Sequence, residues 1–164
     1  MLSHVVRGVV AGAVGTAVLN TVTYLDMVIQ GRPASSVPAD TVEKMTDLLG
    51  VSLAEEGNES STAEARRQGL GALLGYLTGF GIGGVYGLLR PRALAGAPRS
   101  VVGVGLGVAA TVSTVLPYSA LGVSDPRTWS AKSWVSDIVP HLCYGWATAA
   151  AFDALGAGRR GDAR

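Results

Sequence analysis

QGLGALLGYLTGFGIGGVYGLL, Gln68 to Leu89, is 22 residues without a charge, and it places glycine at 71, 75, 79, 83 and 87. A helix rises about 1.5 Å per residue, so roughly 20 apolar residues cross a hydrocarbon core of about 30 Å. The run is long enough to span a bilayer. A step of four residues advances about 40° around a helix, so Gly71, Gly75, Gly79, Gly83 and Gly87 trace a shallow groove in which another backbone can approach closely.

Two further stretches meet the same length: Gly8 to Leu25, 18 uncharged residues, and Ser100 to Ser124, 25 uncharged residues. Each repeats the small-residue spacing, with Gly8, Gly12 and Thr16 in one and Gly103, Gly107 and Thr111 in the other. The chain as a whole is 48% hydrophobic and only 15% charged, with 23 glycines in 164 residues and a mean hydropathy of +0.35. The glycines have no period of three and sit among Val, Leu and Ala, which excludes collagen and argues against disorder. What remains is an all-α integral membrane protein. A fourth span is expected from about Ser133 to Leu155. It is flanked by Trp134 and Trp146, but Asp137 and His141 interrupt it, leaving 15 residues without Asp, Glu, Lys or Arg between Asp137 and Asp153.

The expected organisation is one four-helix membrane bundle over 1–156, with spans near 5–29, 68–89, 100–122 and 133–155 and a flexible basic tail at 157–164. Arg90, Arg92 and Arg99 lie in a short connection without acids, which places that loop and both termini on the cytoplasmic side. The first loop, 30–67, has seven acids against four basic residues and suits the outer side, although Arg66 and Arg67 next to the second span oppose the assignment. The first apolar stretch exceeds the length of a signal-peptide core, so an uncleaved helix is expected. Cys143 is the single cysteine, so no intramolecular disulfide can form.

Within that loop a short amphipathic helix is expected at about 39–49. Proline stands near its start, Val42, Met45 and Leu49 form a stripe, Gly50 stops it, and Asp40 with Glu43 has capping-box spacing. Ser61 to Glu64 is a second capping box, expected to start the second transmembrane helix. Asn58-Glu59-Ser60 matches a glycosylation sequon. Eleven arginines against two lysines, with abundant Ala, Gly and Val, point to a GC-rich bacterial source, in which the sequon is discounted.

Ionisable residues at membrane depth are the functional candidates. Asp26, Asp137 and His141 fall in the outer half under this topology, with Tyr24 and Tyr118 at the same level. Asp137 and His141 are four apart on one helix face, which Tyr144 and Thr148 continue inward. A carboxylate beside an imidazole can take up or pass a proton. Pro117 and Pro140 free the carbonyls of Ser113 and Ser136 inside helices, and such carbonyls need a water, a hydroxyl or a ligand. The alternative for the same residues is structural hydrogen bonding, with Asp137 at the headgroups beside Trp129 and Trp134.

Phosphate-loop, nucleophile-elbow and His-Glu-x-x-His motifs are missing, so no enzyme is expected. One Cys and two His are too few for a structural zinc site or a two-histidine haem within one chain; no metal or other cofactor is expected. The basic surface is too small for nucleic acid.

The opening Arg7-Gly8-Val9-Val10-Ala11-Gly12, four-span profile, and Val135-Ser136-Asp137-Ile138 followed by Pro140-His141-Leu142 resemble the YagU-like family of small bacterial inner-membrane proteins. In that family an acidic residue and a histidine open the last helix in the same way, with Glu usual at the position of Asp137. The resemblance implies a link to acid tolerance and no defined biochemical activity.

The sequence thus points to a non-enzymatic component of the bacterial plasma membrane. Its partners would be the lipid bilayer and either a second copy or another membrane subunit, contacted through helix packing. The alternative is a small proton-linked transporter or channel with an outer-half site of Asp26, Asp137, His141, Tyr118 and Tyr144.

Overall fold

The computed structural model of the protein describes residues 2–54 and 59–161, with side chains at 2–54 and 61–157. The expected sequon at Asn58, the loop acids Glu55 and Glu56 and the last residues of the basic tail lie outside the described residues. The described chain is all-helical: α1 (Leu2–Gln30), α2 (Val37–Leu49), α3 (Glu59–Leu89), α4 (Arg99–Ala120), a 3-10 turn at Pro126–Thr128, and α5 (Ala131–Gly161).

Three helices combine the length and apolarity needed to cross a membrane: α1, α3 from Ser61 to Leu89, and α4. α5 has the length, at 31 residues, but not the apolarity, and the fourth span expected from the sequence rests on it. The reason lies in its packing. α5 is sandwiched between α1 and α4, and its buried residues include Pro140, Tyr144, Gly145, Thr148, Ala149 and Phe152, so its polar and aromatic side chains meet protein. It also continues to Gly161, past the boundary expected at 156.

The long helices are arranged in the order α3, α1, α5, α4, with α4 touching α3 only sparsely. Contacts between the start of α1 and the end of α3, and between the end of α1 and the start of α5, make each long helix antiparallel to the one beside it. A core of Ala11, Tyr86, Val102, Leu106, Ala149 and Phe152 draws on all four. It lies toward the end where α1 begins and α3 stops. Toward the other end α3 and α4 expose Leu73, Leu77, Val112 and Leu116, so the four do not form a uniformly closed ring.

Glycine determines how closely α1 and α3 approach. A Cβ built on Gly12 would lie 2.5 Å from the Gly79 carbonyl oxygen, and one on Gly83 would lie 2.7 Å from Gly12 Cα. Gly8 and Gly87 meet likewise, each with a Cβ position about 3 Å from the other's Cα. The remaining ladder residues face elsewhere. Gly71 meets Pro38 of α2, with 3.1 Å from a built Cβ to the proline Cβ, and Gly75 faces open space. α4 and α5 close on each other at Gly103, covered by the Trp146 indole, at Gly107, against Leu142, and at Gly145, where a Cβ would lie 2.5 Å from Gly107 N.

α2 begins at Val37 with proline near its start, as the sequence suggests. Ser36 stands at its N-cap and Pro38 in its first turn, and the Ser36 hydroxyl donates to Asp40 Oδ2 at 2.8 Å. Asp40 therefore lies one turn inside the helix, which removes the expected Asp40 to Glu43 box. The Ser61 to Glu64 box likewise falls inside α3, which is already helical at Glu59. The expected Val42, Met45 and Leu49 stripe divides: Ala39, Thr41 and Val42 are buried, whereas Met45 and Leu49 are exposed, Leu49 by 74%. Gly50 closes the helix at φ +66°, a left-handed conformation that favours glycine.

Candidate functional site

The polar cluster forms where α1 ends beside the start of α5. Gly31, at φ +61°, turns the chain back after α1, and the Arg32 amide closes onto the Met27 carbonyl at 3.2 Å. That turn folds the Arg32 guanidinium onto the Asp26 carboxylate. Nε and Nη2 donate to Oδ2 at 2.9 and 2.7 Å, while Gln30 Nε2 donates to Oδ1. Gln30 Nε2 also reaches Ser136 Oγ of α5 at 3.2 Å, which links the two helices. Asp26 is thus an ion-paired carboxylate at a helix end.

One turn farther along α5, the His141 Nδ1 donates to the Asp137 carbonyl oxygen at 2.7 Å. Since a carbonyl only accepts, Nδ1 carries the hydrogen and Nε2 is the nitrogen that can take a proton. The Asp137 side chain lies alongside, with Oδ2 3.6 Å from Nδ1. Asp137 Oδ2 is buried without a hydrogen-bond partner, and so is Gln30 Oε1. Tyr118 of α4 is within electrostatic range of Asp137. α4 and α5 remain helical through Pro117 and Pro140.

The structure therefore brings Asp26 toward α5 through Gln30 and Ser136, and sets Asp137 beside His141. It assigns Tyr144 differently. That side chain is only 1% exposed, and its hydroxyl donates to the Gly79 carbonyl at 2.6 Å, so it ties α5 to α3 past α1. Gly15 of α1 makes room for it, with a built Cβ 2.8 Å from Tyr144 Cδ2. Tyr24 is 61% exposed and stands outside the cluster. Trp129 and Trp134 pack with ring centroids 4.9 Å apart, and the Trp129 indole donates to Ser124 Oγ at 2.9 Å.

Sequence reasoning missed Gln30, Arg32 and Ser136. The signal for Arg32 was the Gly31-Arg32-Pro33 run, which ends a helix and leaves a cation within reach of its last turn. Arg66 and Arg67, which opposed the expected sidedness, have local partners: Arg66 donates to the Leu53 carbonyl at 2.9 Å, and Arg67 pairs with Glu43 and, at 3.1 Å, with Glu64. Among the described residues, no three His, Cys, Asp or Glu side chains converge as a metal site would require.

At the opposite end, the Arg7 guanidinium lies 3.7 Å from the centroid of the Phe152 ring, and Tyr86 packs on the same ring at 4.9 Å. No protein-family model, curated protein or solved structure matches the chain.

Proposed function

We propose that this chain is a non-enzymatic, multi-pass protein of the bacterial plasma membrane that acts as a packed helical component, either as a homo-oligomer or as an accessory subunit of another membrane assembly. The observation that carries this reading is the division of its surface. Two of the polar groups at membrane depth are tied internally, Asp26 by Arg32 and Gln30 and His141 by a backbone carbonyl. Meanwhile Val6, Val10 and Val14 of α1, Leu73 and Leu77 of α3, and Val104, Val108 and Val112 of α4 face outward. Lipid-facing helix surfaces associate through shape rather than a hydrophobic drive, so these faces are where a second copy or another subunit docks.

In this reading α5 is the fourth crossing, sheltered by α1 and α4, and the loop carrying α2 is outside with both termini in the cytoplasm. The arginines of the α3 to α4 connection lie at one end and the acidic first loop at the other, which supports that orientation. Chemical crosslinking in native membranes, followed by identification of the crosslinked chains, tests the proposal. Crosslinked copies of this chain or one recurrent subunit support it, and a monomer at every crosslinker length refutes it.

A second reading, proton-linked transport with the acid-tolerance link implied by the YagU resemblance, is favoured by one observation: the buried, unpartnered Asp137 Oδ2 beside His141. Asp137→Asn and His141→Ala separate the two. Loss of a pH-dependent flux or of acid survival at normal membrane abundance supports transport; loss of abundance alone supports structural glue.

A further inference from the structure

The end of the bundle opposite Asp26 contains a cavity of about 350 Å³ lined by His4 of α1, Leu88 of α3, and Pro91 and Arg92 of the following connection. Among the described residues no carboxylate lines it, and the connection from Arg90 to Pro98 contains no acid. The neighbouring cations are turned away: Arg7 lies over Phe152, and Arg90 donates to the Leu94 carbonyl. Among the described residues the Arg92 guanidinium makes a single 3.3 Å bond, from Nη1 to the Leu88 carbonyl, so most of its five N–H donors are available to a ligand. His4 also lines the cavity; its Nδ1 is buried without a hydrogen-bond partner and so is closed to it, which leaves Nε2 as the imidazole nitrogen for a ligand. A lining that holds a guanidinium, an imidazole and two apolar side chains fits an anion joined to an apolar body.

We propose that this cavity binds an anionic phosphate ester, one whose charge no attached ammonium cancels, with Arg92 donating to the phosphate oxygens, His4 supplying a further donor through Nε2, and Leu88 and Pro91 packing against the attached apolar part. Arginine suits this chemistry because its planar fork matches phosphate oxygens. The cavity lies at the end of α1 and α3, where Leu88 and Leu89 are partly exposed, and an anionic glycerophospholipid in the adjoining leaflet presents such a group at that depth. A soluble phosphate monoester presents the same kind of oxygens with a second ionisable one. The lipid source rests on the membrane reading above. Retention of the chain in carbonate-washed membranes tests that reading separately on the same preparation.

The test uses the full chain in neutral detergent, titrated with phosphatidylglycerol, phosphatidylcholine or inorganic phosphate, and read by native mass spectrometry. Phosphatidylglycerol is expected to be retained on the order of tenfold over phosphatidylcholine, the size of one charge-assisted contact. Arg92→Gln is expected to abolish that preference, Arg92→Lys to keep part of it, and His4→Gln to reduce it. Arg127→Gln, at the other end of the bundle, is expected to leave it unchanged. Displacement of the lipid by inorganic phosphate supports the anion site with a soluble source; resistance to displacement supports it with the lipid as source. Equal retention of both lipids, or a wild-type preference in Arg92→Gln, overturns the proposal.

Discussion

Gly83→Ala and Gly75→Ala are the same chemical change in the same four-residue repeat of α3, about two turns apart, and they are expected to have opposite effects. A Cβ at Gly83 would lie 2.7 Å from Gly12 Cα and 2.8 Å from Gly12 N, and closer still to the Gly8 carbonyl oxygen. All three are backbone atoms, so no rotamer change relieves the overlap. α1 and α3 must separate by roughly 1 Å, which weakens every van der Waals contact along the seam. Overpacking of this kind costs about 1–3 kcal/mol, against which alanine recovers about 1 kcal/mol of helix propensity.

At Gly75 a built Cβ has nothing within 4 Å, so only the propensity gain remains. The two variants should therefore differ by about 2 kcal/mol, Gly83→Ala being the less stable. Reversible unfolding in mixed micelles, followed by helical circular dichroism and denaturant titration, measures the difference directly. Equal stability of the two variants, or a more stable Gly83→Ala, would refute the claim that bare backbone at this seam holds α1 against α3.

Gly145→Ala should loosen α5 from α4, because its Cβ would lie 2.5 Å from Gly107 N. The expected loss is about 1–3 kcal/mol, checked in the same titration, and Gly105→Ala, with open space at its Cβ, serves as the control. Tyr144→Phe deletes a buried hydroxyl that donates to the Gly79 carbonyl at 2.6 Å. It should cost about 1 kcal/mol, since Gly79 loses only this second bond, and unfolding of the variant gives the value. Arg67→Ala removes the pairs with Glu43 and Glu64. As these carboxylates are about half exposed, global stability should change by less than about 1 kcal/mol. Amide exchange in α2 should quicken, and unchanged exchange there would show that Arg67 does not hold α2 to α3.

The helices themselves were legible in the sequence because apolar runs of bilayer length leave few alternatives. The glycine repeat was legible as a repeat, but which neighbour each glycine meets was not. A four-residue repeat drifts about 40° per step, so a roughly straight neighbour such as α1 can follow Gly79, Gly83 and Gly87 but not all five. Gly75 is left facing open space and Gly71 meets α2. Gly15 and Gly145 have no glycine at the ladder spacing in their own helices, so nothing local marked them, and only tertiary contact shows that each admits a neighbouring helix.

At the polar end, the Asp137 and His141 pair followed from helical spacing, whereas Arg32 and Ser136 joined through a turn and a second helix that spacing cannot reveal. Tyr144 lay on the expected face but is used for packing, because Gly15 and Gly79 let it reach a carbonyl across the bundle. The capping boxes failed for a simpler reason: Ser36 and Pro38 start α2 ahead of Asp40, and local boxes do not announce which of two candidate starts is used.

We propose a membrane-embedded four-helix arrangement in which α5 crosses beside α1 and α4 despite its lower apolarity. It is tested most directly by labelling single cysteines in intact and permeabilised cells, in a Cys143→Ser background with a reporter fused after Arg164. The account predicts that Ser52→Cys and Ser124→Cys react from outside with a membrane-impermeant maleimide, whereas Ala95→Cys and the C-terminal reporter are reached only after permeabilisation. A C-terminal reporter on the same side as Ser124→Cys would show that α5 does not cross, and would contradict the account.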